Sequence, residues 1–347
     1  MRDICTGSLH KAFDAFRIHA IDIIDTNRLF FVVKADPSAD NWQSEKQAVR
    51  FITYHTNTKT CQWIEFSHTK SNDFFIHSDS DSNTSVLVST FGSVLTLNHK
   101  TGTYTKEKIP DNHGVITDCR QIAGSFYALN SEGIIFHLSN GAQWERWQQL
   151  PTKSEANSID GFSETDVYVG ADNGLWHYAG RDWERVAIPS RATNRKKSIT
   201  YVYCDPIDHK TVYLSKASTY LIVGNQTDGW EIVVDADKNN PSISADKLLR
   251  FQNILLTVHR KNRIYALAGS TFADFSKPLD LPGHLAVAKE NLLLATSGPY
   301  AGPGAEIATC DGHVVTWHTK HDTETKTLAK DLLNTVDNVY NLHQNGL

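Results

Sequence analysis

Apolar and polar residues alternate with a period of two along most of this chain. The runs are four to eight residues long, and Gly, Asn, Asp or Pro breaks each one. That period places successive side chains on opposite faces of a strand, so the pattern predicts short β-strands joined by tight turns. The clearest stretch is Ile159–Ile188. It reads as four strands: Ser158–Phe162, Asp166–Gly170, Leu175–Tyr178 and Trp183–Ile188. Asp172-Asn173-Gly174 turns the chain between the second and third, because Asn and Gly tolerate positive φ. Pro189 stops the fourth, since proline cannot donate to a ladder. The helix candidates are Leu9–Ile18 and Ala329–Val336, both short.

The same order recurs. Phe126–Asn130, Ile134–Leu138 and Trp144–Leu150 form the nearest copy, ended by Pro151. Val86–Thr90, Ser93–Leu97 and Tyr104–Ile109 form the next, ended by Pro110. Fainter copies place third strands at Ala48–Tyr54, Tyr220–Val223, Ile264–Leu267 and His313–Trp317. The residues just before the third strands are Gln47, Gly92, Gly133, Gly174, Thr219, Arg263 and Gly312, spaced by 41 to 49 residues. Four strands in each period of this length describe a β-propeller blade. A lone blade has two apolar faces and can bury neither, whereas a ring of blades buries all of them.

The expected fold is therefore all-β, a seven-bladed β-propeller of four-stranded antiparallel blades that takes up the whole chain, 1–347. The blades fall near 18–68, 72–110, 113–151, 157–189, 198–236, 245–281 and 284–330, and the ends, 1–17 and 331–347, close the ring. Asn334–Leu342 has the pattern of a first strand. Lys11–Ile18 has that of a fourth strand, ahead of a first strand at Ala20–Ile24. One end is expected to complete a blade begun by the other.

Charge and cysteine content narrow the function. The 34 Lys and Arg against 39 Asp and Glu leave a net charge of -5. That disfavours non-specific nucleic-acid binding and suits a basic partner. Cys5, Cys61, Cys119, Cys204 and Cys310 are odd in number and far apart, and they form no CxxC pair. A disulfide framework is not expected, and a reducing cytoplasm fits better. There is no apolar run of membrane-spanning length and no apolar core of a secretory signal near Met1, so no membrane role is expected.

Several clusters have spacings that resemble chemical sites. Cys310, His313, His318 and His321 have metal-like spacing, but on a strand His313 and His318 point to opposite faces, so no metal is assigned. Asp79, Asp81 and Asn83 begin like a calcium loop, yet Thr84 and Thr90 stand where Gly and Glu are needed. Arg191, Arg195, Lys196 and Lys197 form a basic run that reads as a solvated loop. Trp144, Trp183 and Trp230 open fourth strands, with Trp63 placed nearby, and are expected to pack between blades. His137 and His177 share a repeat position and therefore a structural task. The chain has no G-x-S-x-G elbow, no P-loop and no H-E-x-x-H. No cofactor and no catalytic residue is assigned.

Loops carried by a rigid ring are the natural place for recognition. Two insertions are long. Lys34–Gln47 carries Asp36, Asp40, Trp42 and Glu45. Ser297–Gly304 carries Tyr300. If Leu292–Thr296 is a second strand, both loops leave the same face of neighbouring blades. These five residues are the candidate partner-binding site, with Trp42 and Tyr300 as aromatic anchors.

The segment Asp160–Val186 also resembles the blades of bacterial propellers of the WD40/YVTN-like superfamily. The resemblance is carried by Gly161, Ser163, Asp166, Val167, Tyr168, Val169, Gly170, Gly174, His177, Tyr178, Gly180 and Trp183. It is good over one blade and partial over two more. No Trp-Asp dipeptide occurs, so the repeats depart from ordinary WD40 repeats. The resemblance implies a non-catalytic, protein-binding propeller, and more specifically an immunity protein. Such a protein neutralises a toxin of a contact-dependent inhibition or type VI system, with a basic nuclease domain as partner. The alternatives are a lyase- or lactonase-type enzyme using the central tunnel, and a carbohydrate-binding propeller.

Overall fold

The computed structural model describes residues 5–13, 16–35, 46–69, 74–111, 114–138, 143–189, 198–216, 220–235, 247–259, 263–276, 281–282, 285–289, 291–297, 306–311, 314–318 and 325–327. Seven antiparallel sheets follow one another along the chain, each with its strands in sequence order. Blade 1 is Phe16–Asp25, Arg28–Ala35, Lys46–His55 and Thr60–Thr69. Blade 2 runs from Phe74–Asp79 to Tyr104–Lys108, blade 3 from Ile116–Ile122 to Glu145–Gln149, and blade 4 from Ala156–Ser163 to Trp183–Val186. Blade 5 runs from Ile199–Cys204 to Gly229–Asp235, blade 6 from Lys247–Phe251 to Thr271–Asp274, and blade 7 from Leu285–Lys289 to Val314–Trp317. The first strand of each blade lies against the first strands of both neighbours, and Leu285–Lys289 returns to Phe16–Asp25. The molecule is a seven-bladed β-propeller.

The period-two pattern explains why the blades must stack. In the second strand of blade 3, Tyr127 and Leu129 enter the core shared with blade 4, while Ala128 between them enters the core shared with blade 2. Among the described residues there are seven such cores, one at each interface between blades. Trp144 and Trp63 are buried in two of them, and Trp183 and Trp230 pack against two more. The tryptophans thus have the packing role expected of them. Gly92 and Gly133 take φ of 75° and 76° in the turns between second and third strands, a region that disfavours other residues.

Two expectations near the ends of the ring change. Lys11–Ile18 is not a fourth strand. Leu9–Phe13 is a helical turn that buries Leu9, Ala12 and Phe13, and a single strand, Phe16–Asp25, follows. The apolar residues at i, i+3 and i+4 have the helical period, and Phe13 packs edge-on against Phe31. The stretch Val314–Trp317 in blade 7 is a fourth strand, and the third is Ile307–Cys310. The long insertion displaced the repeat count there. Finally, among the described residues no blade is completed by the other end of the chain. Cys5–Gly7 adds an outer strand to blade 1, Thr325–Thr327 adds one to blade 7, and the ring closes by face packing of Ile21 and Trp63 with Leu294 and Ile307. Ala329–Val336 and Asn334–Leu342 lie outside the described residues.

Candidate functional site

Asp36, Asp40, Trp42, Glu45 and Tyr300 all lie outside the described residues, as do Arg191, Arg195, Lys196 and Lys197. The strands that flank the two insertions are described. Leu292–Thr296 is the second strand of blade 7, so each insertion joins a second to a third strand, in neighbouring blades. At the base of the second insertion, Ser297 N–H donates to the Glu306 carbonyl at 2.9 Å, and Glu306 N–H donates to Ser297 Oγ at 2.7 Å.

The same face carries an exposed apolar pair. Phe91 is 56% exposed in the turn between the second and third strands of blade 2, and Val115 is 45% exposed just before the first strand of blade 3. Ile116 N–H donates to the Thr90 carbonyl at 2.8 Å and ties the two together. Ser131 N–H donates to the Val115 carbonyl, also at 2.8 Å, and brings the next turn alongside. Exposed Glu132 and Glu155 follow, with Lys153 between the strands, and Asp111 lies before Val115.

The second feature is the central tunnel, a cavity of about 560 Å³ lined by residues of all seven first strands. Three of these strands carry an aspartate with the same bonding. Asp22 accepts the N–H of Ile23 at 2.8 Å and that of Ser78, in blade 2, at 2.5 Å. Asp118 accepts from Cys119 at 2.9 Å and from Ile159, in blade 4, at 3.1 Å. Asp160 accepts from Gly161 at 2.9 Å and from Cys204, in blade 5, at 2.8 Å. One carboxylate oxygen caps its own strand and the other fastens the next blade. Sequence reading missed these residues, although an Asp flanked by apolar or small residues recurs in the predicted first strands (Ile-Asp-Ile, Thr-Asp-Cys and Ile-Asp-Gly).

Around these aspartates lies a wider polar ring. Ser158 Oγ donates to Asp118 Oδ2 at 2.8 Å, and Arg120 Nε lies 3.5 Å from the same oxygen. Arg120 reaches past blade 4 to donate to the Tyr201 hydroxyl of blade 5. Arg250 of blade 6 pairs with buried Asp205 of blade 5 at 3.0 Å. Lys289 of blade 7 donates to the carbonyls of Ile24 at 3.2 Å and Ser78 at 2.9 Å, spanning blades 1 and 2.

Burial sets the proton affinities of this ring. It pushes Asp160 up to about 6, against the opposing pull of Arg120 and the two N–H donors. It also raises Asp22, opposed chiefly by His77. Burial works against the charge of Arg120, but Asp118 and Tyr201 outweigh it and keep the guanidinium protonated.

The remaining candidates have local tasks. His177 stacks on Tyr168 at 4.3 Å between ring centres, and its Nε2 is 2.8 Å from Asp166 Oδ1. His137 lies against Tyr127 in the same register at 4.8 Å. Asp79 caps the turn Ser80–Asn83 by accepting the N–H of Asp81, and Asn83 accepts from Arg28 at 2.6 Å. Cys310 is buried in the core between blades 6 and 7, and His318 Nε2 meets Thr309 Oγ1 at 2.9 Å. No group of three or more His, Cys, Asp or Glu among the described residues is placed to hold a metal ion. None of their helices is long and apolar enough to cross a membrane.

No protein-family model and no curated protein sequence matches the chain. Solved structures do. U3-55K is similar over 85% of this chain and 91% of its own, with a TM-score of 0.58 and 9% identity. PorZ, a surface component of the type-IX secretion system of Porphyromonas gingivalis, matches over 93% of this chain and 39% of its own, with a TM-score of 0.56 and 12% identity. The β-propeller domain of Cps50 (Swd1) from Myceliophteria thermophila matches over 81% and 96%, with a TM-score of 0.53 and 10% identity. At such identities the likeness is one of fold.

Proposed function

We propose that this chain is a non-catalytic protein-binding propeller whose partner docks on the face of the second-to-third-strand connections. The observation that carries the reading is the exposed Phe91–Val115 pair on that face, flanked by three carboxylates, Asp111, Glu132 and Glu155, against one cation, Lys153. An apolar centre with acidic surroundings suits a basic partner, which the charge of the whole chain would also attract. The absence of a catalytic role is supported by the first-strand carboxylates Asp22, Asp118 and Asp160, each committed to holding the next blade.

In its finer form, the reading is of an immunity protein that neutralises a basic toxin domain, with Asp36, Asp40, Trp42, Glu45 and Tyr300 extending the interface. The support for this form is the blade resemblance and the acidic balance. The test is a pull-down from the native host with mass spectrometry, read together with the neighbouring gene. A stoichiometric basic partner encoded alongside, bound at least about tenfold more weakly by the Trp42→Ala plus Tyr300→Ala variant, is the expected result. A tightly retained metal and no stoichiometric partner would overturn it in favour of tunnel catalysis.

A further inference from the structure

Lys247 opens the first strand of blade 6 and lines the tunnel. It is enclosed by the ring and yet open to solvent. No hydrogen bond or ion pair engages it among the described residues, unlike Lys289, whose ammonium is spread over backbone carbonyls of blades 1 and 2. Its strongest charged neighbour is a second cation, Arg120, ahead of Asp22 and Asp118. Burial, and then Arg120, lowers the proton affinity of Lys247. Two cations thus line one cavity although they repel each other, and among the described residues only Arg120 has a carboxylate within ion-pair distance.

The rest of the lining is mixed, with Thr117, Asn157 and Thr200 hydrogen-bonded within the ring beside apolar Phe74, Ile76 and Leu285. Thr117, Asn157 and Thr200 lie near the starts of their strands, as does Lys247. These strand starts are on the face that carries the second-to-third connections. Its volume of about 560 Å³ lies within the usual range for small-molecule sites. We infer that the tunnel binds a small oxyanion, the phosphate or carboxylate group of a metabolite-sized ligand, between the Lys247 ammonium and the Arg120 guanidinium. The Arg120 fork, already oriented by Asp118 and Tyr201, supplies directional N–H donors, and Lys247 supplies a second cation on the same lining. The inference rests on the tunnel lining alone and would stand if no protein partner were found.

The probes are inorganic phosphate and succinate, each titrated into the intact chain against sodium chloride of equal ionic strength. Thermal unfolding and calorimetry are the readouts. The expected result is a saturable rise in Tm with at least one of the two, absent with chloride. In Lys247→Met, which keeps the apolar stem and breaks no side-chain hydrogen bond among the described residues, binding should weaken by about tenfold or more. A response to phosphate alone assigns a phosphate-bearing ligand, and a response to succinate alone assigns a carboxylate. The inference is overturned if neither anion gives a saturable shift, or if Lys247→Met responds as the unaltered chain does.

Discussion

The Asp160 carboxylate accepts the backbone N–H of Cys204, 44 residues further along, at 2.8 Å. That separation is about one repeat, so the bond joins equivalent strands of adjacent blades. Asp22 with Ser78 and Asp118 with Ile159 repeat it. A ring of blades held by face packing can open at any interface, and these aspartates fasten three of the seven at the inner edge.

Asp118→Ala should cost about 3–5 kcal/mol, the range for leaving a buried charge without its partner. It removes the acceptor for Cys119, Ser158 and Ile159 and takes the paired carboxylate from Arg120, which keeps its bond to Tyr201. Asp118→Asn keeps an oxygen for one N–H and should cost less. Urea denaturation of the two variants checks the order.

Gly170→Ala should destabilise by about 1–3 kcal/mol through overpacking. An added Cβ would lie 2.6 Å from Ile199 Cγ2 and 3.0 Å from the Ile199 carbonyl, on the next blade. The backbone oxygen cannot move aside without shifting the first strand of blade 5. A fall in the thermal midpoint, with an unchanged circular dichroism spectrum at room temperature, is the signature to look for.

Phe91→Ser combined with Val115→Ser should leave stability within about 0.5 kcal/mol, because both side chains are exposed. Capture of the partner should fall by at least about tenfold if the pair anchors the interface. Binding measured on this folded variant separates recognition from stability.

Acid should weaken the fold between roughly pH 6.5 and 4. Burial holds His99 and His318 near 4 in the native state, against 6.5 for the free side chain. In that window the unfolded chain takes up their protons and the native chain does not, so stability drops as pH falls. Asp160 acts in the opposite sense. Its native value of about 6 against 3.8 gives stability present at low pH and lost as pH rises through 6. Asp22, raised by burial, acts with Asp160, whereas His55 and His77, lowered by burial, act with His99 and His318, so four groups oppose two and the net slope is toward acid instability. His99→Gln with His318→Gln should flatten the pH dependence of the urea midpoint, and Asp160→Asn should steepen it.

The fold was legible because strand alternation and turn chemistry are local. Gly133 and Gly174 mark the same turn in successive blades, and the core on each side follows from which residues alternate. Legibility failed where an insertion or a second period intervened. The 297–306 segment shifted the count in blade 7, so that Val314–Trp317 was placed one strand too early. At Leu9–Phe13 a helical period of five residues was too short to separate from a strand.

By itself, then, the sequence determined the class of fold, the number of blades and the packing role of the repeated tryptophans, since each depends on patterns within one repeat. The tertiary structure alone decided that Asp22, Asp118 and Asp160 fasten neighbouring blades, that Phe91 and Val115 share a face, and that Arg120 and Lys247 meet in one cavity. These relationships join residues from about 24 to 127 positions apart in the chain. Closing the ring brings them together, and no local pattern encodes that distance.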